Sequence, residues 1–257
     1  VAAAAVTRAA LLLAALLLAA AGRVPPAATP ISRDTLGWWH ARHTAKLAEL
    51  RQGPVDLIFL GDSITQNYER DGPQPFLDFR PVWRRFYGDR HAVNLGFKGD
   101  ATAHLLWRMT HGELDGIAPK AAVILIGANN FGHLHWSAAD TALGIETVVA
   151  EARRRLPHTK LLLVGILPSV RSDYVTESTR AVNAALAARY GGGAVAGVTY
   201  IDVTPVFLAD GAVNTSLFYD PELTPPDPPL HPTPTGQARM AEAIEPALSA
   251  MLGDRRH

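Results

Sequence analysis

The chain has 257 residues, of which 48% are hydrophobic and 19% charged, with 24 Lys+Arg against 24 Asp+Glu and a formal net charge of zero. That is enough apolar material for one sizeable core, with two small domains not excluded, and the charge balance gives no general attraction to nucleic acid or anionic membranes. There is no cysteine, so disulfides, a thiol nucleophile and every thiolate zinc site are excluded.

The first element is an apolar run from Val1 to Gly22, broken only by Thr7 and Arg8. A basic residue, then an apolar stretch, then small residues has the form of a secretory signal. A retained N-terminal membrane anchor is the alternative. No Cys follows the run, so it is not a lipoprotein signal. Residues 23–30 are rich in Pro and Ala and read as a tether. The expectation is therefore a signal segment plus tether over 1–30 and one catalytic domain over 31–257. The protein would be periplasmic or secreted, with no stable membrane span after processing.

Residues 34–52 form an amphipathic pattern, with Asp34 as cap and Leu36, Trp39, Leu47 and Leu50 facing inward. Five short apolar segments follow: 55–60, 92–95, 121–126, 161–167 and 198–203. Helical patterns separate them at roughly 101–115, 139–155, 175–190 and 236–252. Strands that alternate with helices predict an α/β fold, a three-layer α/β/α sandwich around a mostly parallel five-stranded sheet. Right-handed crossovers put the strand C-termini on one edge, where sites in such sheets collect. Gly61-Asp62-Ser63, Gly96-Phe97-Lys98-Gly99-Asp100, Gly127-Ala128-Asn129-Asn130 and Pro168-Ser169 all fall there. Residues 205–235 read as an extended, stiff loop, with seven prolines between Pro221 and Pro234.

Ser63 is the candidate nucleophile. It lies just past a strand, beside Gly61, at the start of a helix whose amides favour developing negative charge. The pentapeptide departs from Gly-x-Ser-x-Gly, because residue 65 is Thr. Among ten histidines, His231 is the best base, held by Pro-rich backbone. Asp227, four residues earlier, is the expected acid, with Asp220 a second candidate and a Ser–His dyad the other option. The Ser63 and Gly99 backbone N–H groups and the Asn129 amide are candidate oxyanion donors. Asp62 is expected to tie loops together. Phe97, Lys98, Phe131, His133 and Trp136 are candidate substrate-lining residues. His133-x-His135 lacks a third ligand, so no metal and no cofactor is expected.

Together these blocks resemble the SGNH, or GDSL-like, hydrolases. The resemblance covers roughly residues 34–252. Its supports are Gly61-Asp62-Ser63-Ile64-Thr65-Gln66, Asn94-Leu95-Gly96-Phe97-Lys98-Gly99-Asp100, Gly127-Ala128-Asn129-Asn130 and Asp227 to His231. Gly99-Asp100-Ala101-Thr102, Leu106-Trp107-Arg108 and Gly165-Ile166-Leu167-Pro168 look most like the branch containing the catalytic subunits of intracellular platelet-activating-factor acetylhydrolase. The family places its Asp three residues before the His; here that position is Pro228. The resemblance implies a flavodoxin-like fold, a serine esterase acting on short, especially acetyl, esters of a carbohydrate or lipid-derived substrate, and a possible homodimer. An acyltransferase with the same residues and a non-catalytic carbohydrate- or protein-binding domain are the alternatives. A nucleic-acid partner is not expected.

Overall fold

The computed structural model describes residues 24–71 and 78–254. The apolar run of the predicted signal segment, residues 1–22, therefore lies outside the described residues, and the tether is described from Val24 onward. Five strands form one sheet: β1 (Leu57–Gly61), β2 (Ala92–Gly96), β3 (Ala121–Leu125), β4 (Lys160–Val164) and β5 (Val198–Ile201). Their order is β2-β1-β3-β4-β5, and every pairing is parallel.

The strands are apolar on both faces because both faces are covered. Ile58, Leu60, Ala122, Ile124, Leu161 and Leu163 enter one core. The alternate residues Leu57, Phe59, Ala121, Val123, Leu162 and Val164 enter the other. Helices α4 (Thr102–Arg108), α6 (Ala138–Arg155) and α7 (Asp173–Tyr190) close the first face through Leu105, Ile145, Val148, Val182 and Leu186. Helices α3 (Arg80–Tyr87) and α8 (Pro234–Leu252) close the second through Phe86, Tyr87, Ile244 and Leu248. Among the described residues the other α-helices are α1 (Gly37–Glu49), α2 (Ser63–Gln66) and α5 (Ala128–Gly132). The expected three-layer fold is present.

Several local expectations change. The N-cap of α1 is Leu36, with no side-chain cap, not Asp34; Leu36 stays 38% exposed while Trp39 is fully buried. The apolar run 161–167 leaves the sheet after Val164, because the Asn183 side chain takes both backbone groups of Ile166. The long loop is not wholly extended. It holds a two-stranded ribbon, β6 (Leu208–Ala209) with β7 (Ala212–Val213), and short turns at Thr215–Leu217 and Asp220–Glu222.

The described part of the Pro/Ala-rich stretch is not a loose tether. Ala27 is fully buried. Its carbonyl accepts from Thr102 Oγ1 at 2.7 Å, and the Ile31 N–H donates to Ala103. A small apolar side chain between prolines fits tightly against α4 and α6 and needs no sheet partner. Among the described residues, no helix is long and apolar enough to cross a membrane.

Candidate active site

The strand order places β1 between β2 and β3, with Gly61 in register with Gly96 and Leu125. The loop after β1 therefore has the other two loops on either side of it. Asp62 caps α2, its Oδ1 accepting the Ile64 N–H at 2.9 Å, and Ser63 is the first helical residue. This turn is seated directly on β2. A Cβ at Gly96 would come within 2.3 Å of the Gln66 nitrogen, which explains the need for glycine there.

Ser63 Oγ lies 3.0 Å from His231 Nε2. His231 Nδ1 lies 2.6 Å from Asp220 Oδ1. The structure thus corrects the expectation that Asp227 folds back onto the imidazole. Asp220 takes that position and is buried, whereas Asp227 is exposed at the cleft mouth. The reason lies in the loop. Asp220 Oδ2 accepts the N–H groups of Leu230 and His231, at 2.8 and 2.5 Å, and the Asp220 carbonyl accepts the Asp227 N–H. Residues 221–230 therefore form a closed excursion whose two ends meet at Asp220 and His231. Ten residues separate acid from base in sequence, yet the two side chains are in hydrogen-bond contact.

Burial alone would raise the Asp220 carboxyl. The hydrogen bonds from the His231 ring and backbone, and from Leu230, outweigh burial and hold it below its ordinary range. An ionised Asp220 accepts the Nδ1–H, leaving the Nε2 lone pair toward Ser63. The Tyr219 ring stacks on the imidazole, centroids 5.4 Å apart, and its hydroxyl accepts from Asn67 and Arg70. Tyr219 was not singled out from the sequence. Adjacency to Asp220 is the one signal that could have drawn attention to it.

Gly99 has φ +75°, a conformation that favours glycine. Among the described residues, the Ser63 and Gly99 backbone N–H groups have no protein acceptor, so both remain available as donors. The buried Asn129 donates Nδ2 to the Asp100 carbonyl at 2.9 Å and sits 3.5 Å from Asp62 Oδ2. Beneath this loop lies a network that the sequence reading missed. Asp100 accepts from Trp39 Nε1, Arg33 and Arg108, and Arg108 also pairs with Glu113. Arg108, Asp100 and Glu113 are fully buried. Removing Arg108 would leave Glu113 as an unpaired buried carboxylate and Asp100 with only Arg33 and Trp39, a cost of about 3–5 kcal/mol.

A cleft of about 530 Å³ opens over Ser63 and His231, bordered by Gln66, Arg70, Lys98, Tyr219 and Leu223. Of the five expected lining residues, Lys98 borders it. Phe97 and Phe131 are fully buried instead. Phe97 packs under the Arg108 guanidinium, 3.9 Å from ring centroid to Cζ, and Phe131 joins the core between the sheet and α7. Flanking glycines and loops suggested exposure, but a large aromatic ring gains more from burial. His133 and Trp136 do not border this cleft. Among the described residues no group of three His, Cys, Asp or Glu side chains is placed to hold a metal.

Asp62 carries a testable consequence. Burial pushes its carboxyl up from 3.8 to about 6. The folded state then holds a proton more tightly than the unfolded chain, so stability falls as pH rises from about 4 to about 6 and levels off above. Asp62→Asn keeps an oxygen for the Ile64 N–H and removes the titration. It is expected to flatten the pH dependence of the urea midpoint across that window. An unchanged slope would place the titration elsewhere.

The chain matches the GDSL-like lipase/acylhydrolase family over residues 59–239. It is 30% identical over 205 residues to the human platelet-activating factor acetylhydrolase IB subunit alpha1, covering 78% of this chain and 83% of that protein. It is 28% identical over 231 residues to the rat alpha2 subunit, covering 89% and 90%. In three dimensions it is similar to a GDSL-like lipase from Bacteroides thetaiotaomicron, with TM-score 0.63, 18% identity and coverage of 82% and 97%. It is also similar to a catalytic mutant of an acetylxylan esterase from Geobacillus stearothermophilus, with TM-score 0.54, 16% identity and coverage of 81% and 100%. The fold, the family match and the relatives agree, and the chain belongs to the GDSL-like lipase/acylhydrolase family, the SGNH hydrolases.

Proposed function

We propose that this hydrolase is a serine esterase that removes short acyl groups, above all acetyl, through an acyl-serine intermediate. The observation that carries the reading is the Ser63–His231–Asp220 relay, with contacts of 3.0 and 2.6 Å. Ser63 Oγ attacks the ester carbonyl carbon while His231 Nε2 takes its proton. Negative charge develops on the carbonyl oxygen, for which the Ser63 and Gly99 N–H groups and the Asn129 amide are the donors. The intermediate collapses, His231 returns the proton to the departing alkoxide, and the alcohol leaves. Water then attacks the acyl-serine with His231 again as base, which releases the carboxylic acid and restores Ser63.

The acetyl preference rests on relatives named as acetylhydrolase subunits and an acetylxylan esterase. Turnover of p-nitrophenyl acetate, butyrate and octanoate tests the reading. Acetate is expected to have the highest kcat/KM, with a fall of about tenfold or more to octanoate. A preference for octanoate would defeat the short-acyl assignment, and no turnover of any ester would defeat the esterase itself.

The natural substrate is proposed to be an acetylated carbohydrate or a lipid-derived acetyl ester. The same reading takes the apolar N-terminal run as an export signal, giving a periplasmic or secreted enzyme. A homodimer is proposed on likeness to the relatives alone.

A further inference from the structure

Asp220 and Ser63 hold the His231 imidazole at its two nitrogens, at 2.6 and 3.0 Å. Two bonds in the ring plane fix a line through the ring. They resist tilting about that line only weakly, because hydrogen bonds tolerate a broad range of angles. A contact on the face of the ring supplies the missing restraint, and Tyr219 makes it. Its ring lies at 10° to the imidazole plane, with centroids 5.4 Å apart. The two residues meet across a short antiparallel pairing, in which the Tyr219 N–H donates to the His231 carbonyl at 3.0 Å and Phe218 bridges to Pro232.

Tyr219 is itself fixed from the Ser63 side. Asn67 Nδ2 and a terminal nitrogen of Arg70 donate to its hydroxyl, at 3.2 and 3.0 Å. The buried Phe79 ring packs edge-on against it, centroids 6.4 Å apart. Asn67 follows directly on α2, and its backbone N–H donates to the Ser63 carbonyl. The contacts close a circuit: Ser63 backbone to Asn67, Asn67 side chain to Tyr219, Tyr219 ring to His231, and His231 Nε2 back to Ser63 Oγ. Asn67 and Tyr219 are both buried, so the bond between them is shielded from competing water. Burial also holds the Tyr219 hydroxyl above its ordinary pKa, so the ring facing His231 is a neutral phenol.

We propose, on the esterase reading above, that Tyr219 is a positioning residue: tied to the Ser63 segment through Asn67 and Arg70, its ring holds the imidazole at the tilt that aims the Nε2 lone pair at Ser63 Oγ. Proton transfer needs that lone pair and the Oγ–H aligned within hydrogen-bond reach, and a misplacement of about 1 Å can cost about 10²-fold in rate. The ring also offers a π face to the imidazolium that forms as Ser63 attacks. Both effects act through His231 and require no contact between Tyr219 and the reacting atoms of the ester.

Steady-state turnover of p-nitrophenyl acetate tests this role, with thermal midpoints as the check on folding. Tyr219→Leu, which removes the flat face, is expected to lower kcat by about 10²-fold with KM changed less than about threefold. Tyr219→Phe keeps the face and loses the hydroxyl bonds, and is expected to recover most of that loss, leaving kcat about three- to tenfold below wild type. Asn67→Ala cuts one of the same bonds, so adding it to Tyr219→Phe should lower kcat no further. In an Asp220→Asn background, where His231 already fails as base, Tyr219→Leu should change the remaining rate by less than about threefold. The His231 Nδ1 proton gives a readout without turnover. Its downfield NMR resonance, assigned by its loss in His231→Gln, should broaden through solvent exchange in Tyr219→Leu and stay sharp in Tyr219→Phe. A folded Tyr219→Leu enzyme with kcat within threefold of wild type overturns the proposal, as does an unchanged resonance or a full loss that persists in the Asp220→Asn background. Should Tyr219→Leu fail to fold, the other pair decides: no loss in Tyr219→Phe, or losses that multiply with Asn67→Ala, overturn the proposal. No ester turnover in the wild type would sink the esterase reading alone, because the resonance still reports how the imidazole is held.

Discussion

Ser63→Ala is expected to lower kcat for p-nitrophenyl acetate by about 10⁵-fold or more, to the residual rate left by binding and oxyanion donors. The fold should survive the change. Ser63 is the first residue of α2, whose cap is the neighbouring Asp62, and its hydroxyl contributes only the bond to His231. Alanine is a good helix former and loses no cap here. The thermal midpoint should therefore stay within a few degrees of wild type while activity disappears. Retention of more than about one per cent of turnover would remove Ser63 from the nucleophile's role, because no other group has been placed to form the acyl-enzyme.

The second large effect separates two carboxylates that sequence alone ranks in the opposite order. Asp220→Asn is expected to reduce kcat roughly ten-thousandfold. An asparagine side chain can present its amide N–H to Nδ1, which favours the tautomer with the proton on Nε2, so that His231 cannot accept from Ser63. Asp227→Asn should change kcat by less than about threefold, since the Asp227 side chain is exposed and makes no contact with the imidazole. Equal effects at the two positions, or a larger one at Asp227, would mean that the loop 221–230 rearranges when substrate binds. The Asp220 change should also be far from additive with Ser63→Ala, because the two residues act as a unit.

The error over the acid has a plain physical origin. Spacing arguments assume that a short stretch between acid and base runs directly from one to the other. Here ten residues, Pro221 to Leu230, leave and return, and their ends are stapled by backbone N–H groups donating to the Asp220 side chain and carbonyl. Nothing in the local residue types marks where such a loop closes. The same limit applies to Phe97 and Phe131. Their neighbours belong to site loops, but the rings turn into space left by Arg108 and α7, which only the assembled layers define. The buried Arg108–Asp100–Glu113 group was invisible for a related reason. Its members lie close in sequence, yet their burial comes from Trp39 and Arg33 on a distant segment.

What could be read from the residues is what repeats or is local. Five apolar segments alternating with helical patterns imply a covered parallel sheet, because each strand buries both faces. Glycines at the strand ends mark sharp turns and close backbone approach. Ser63 and His231 stand out because each combines the right side chain with constrained backbone. Those features depend on a few neighbouring residues and on a period of two or 3.6, which a sequence states directly. The tertiary structure alone decided which carboxylate meets His231, which aromatics line the cleft and which are buried beneath it. Each of these is a contact between segments far apart in the chain. Its formation depends on which competing group is already taken, and Asp220, with both oxygens bound at one end of a closed loop, is the clearest case.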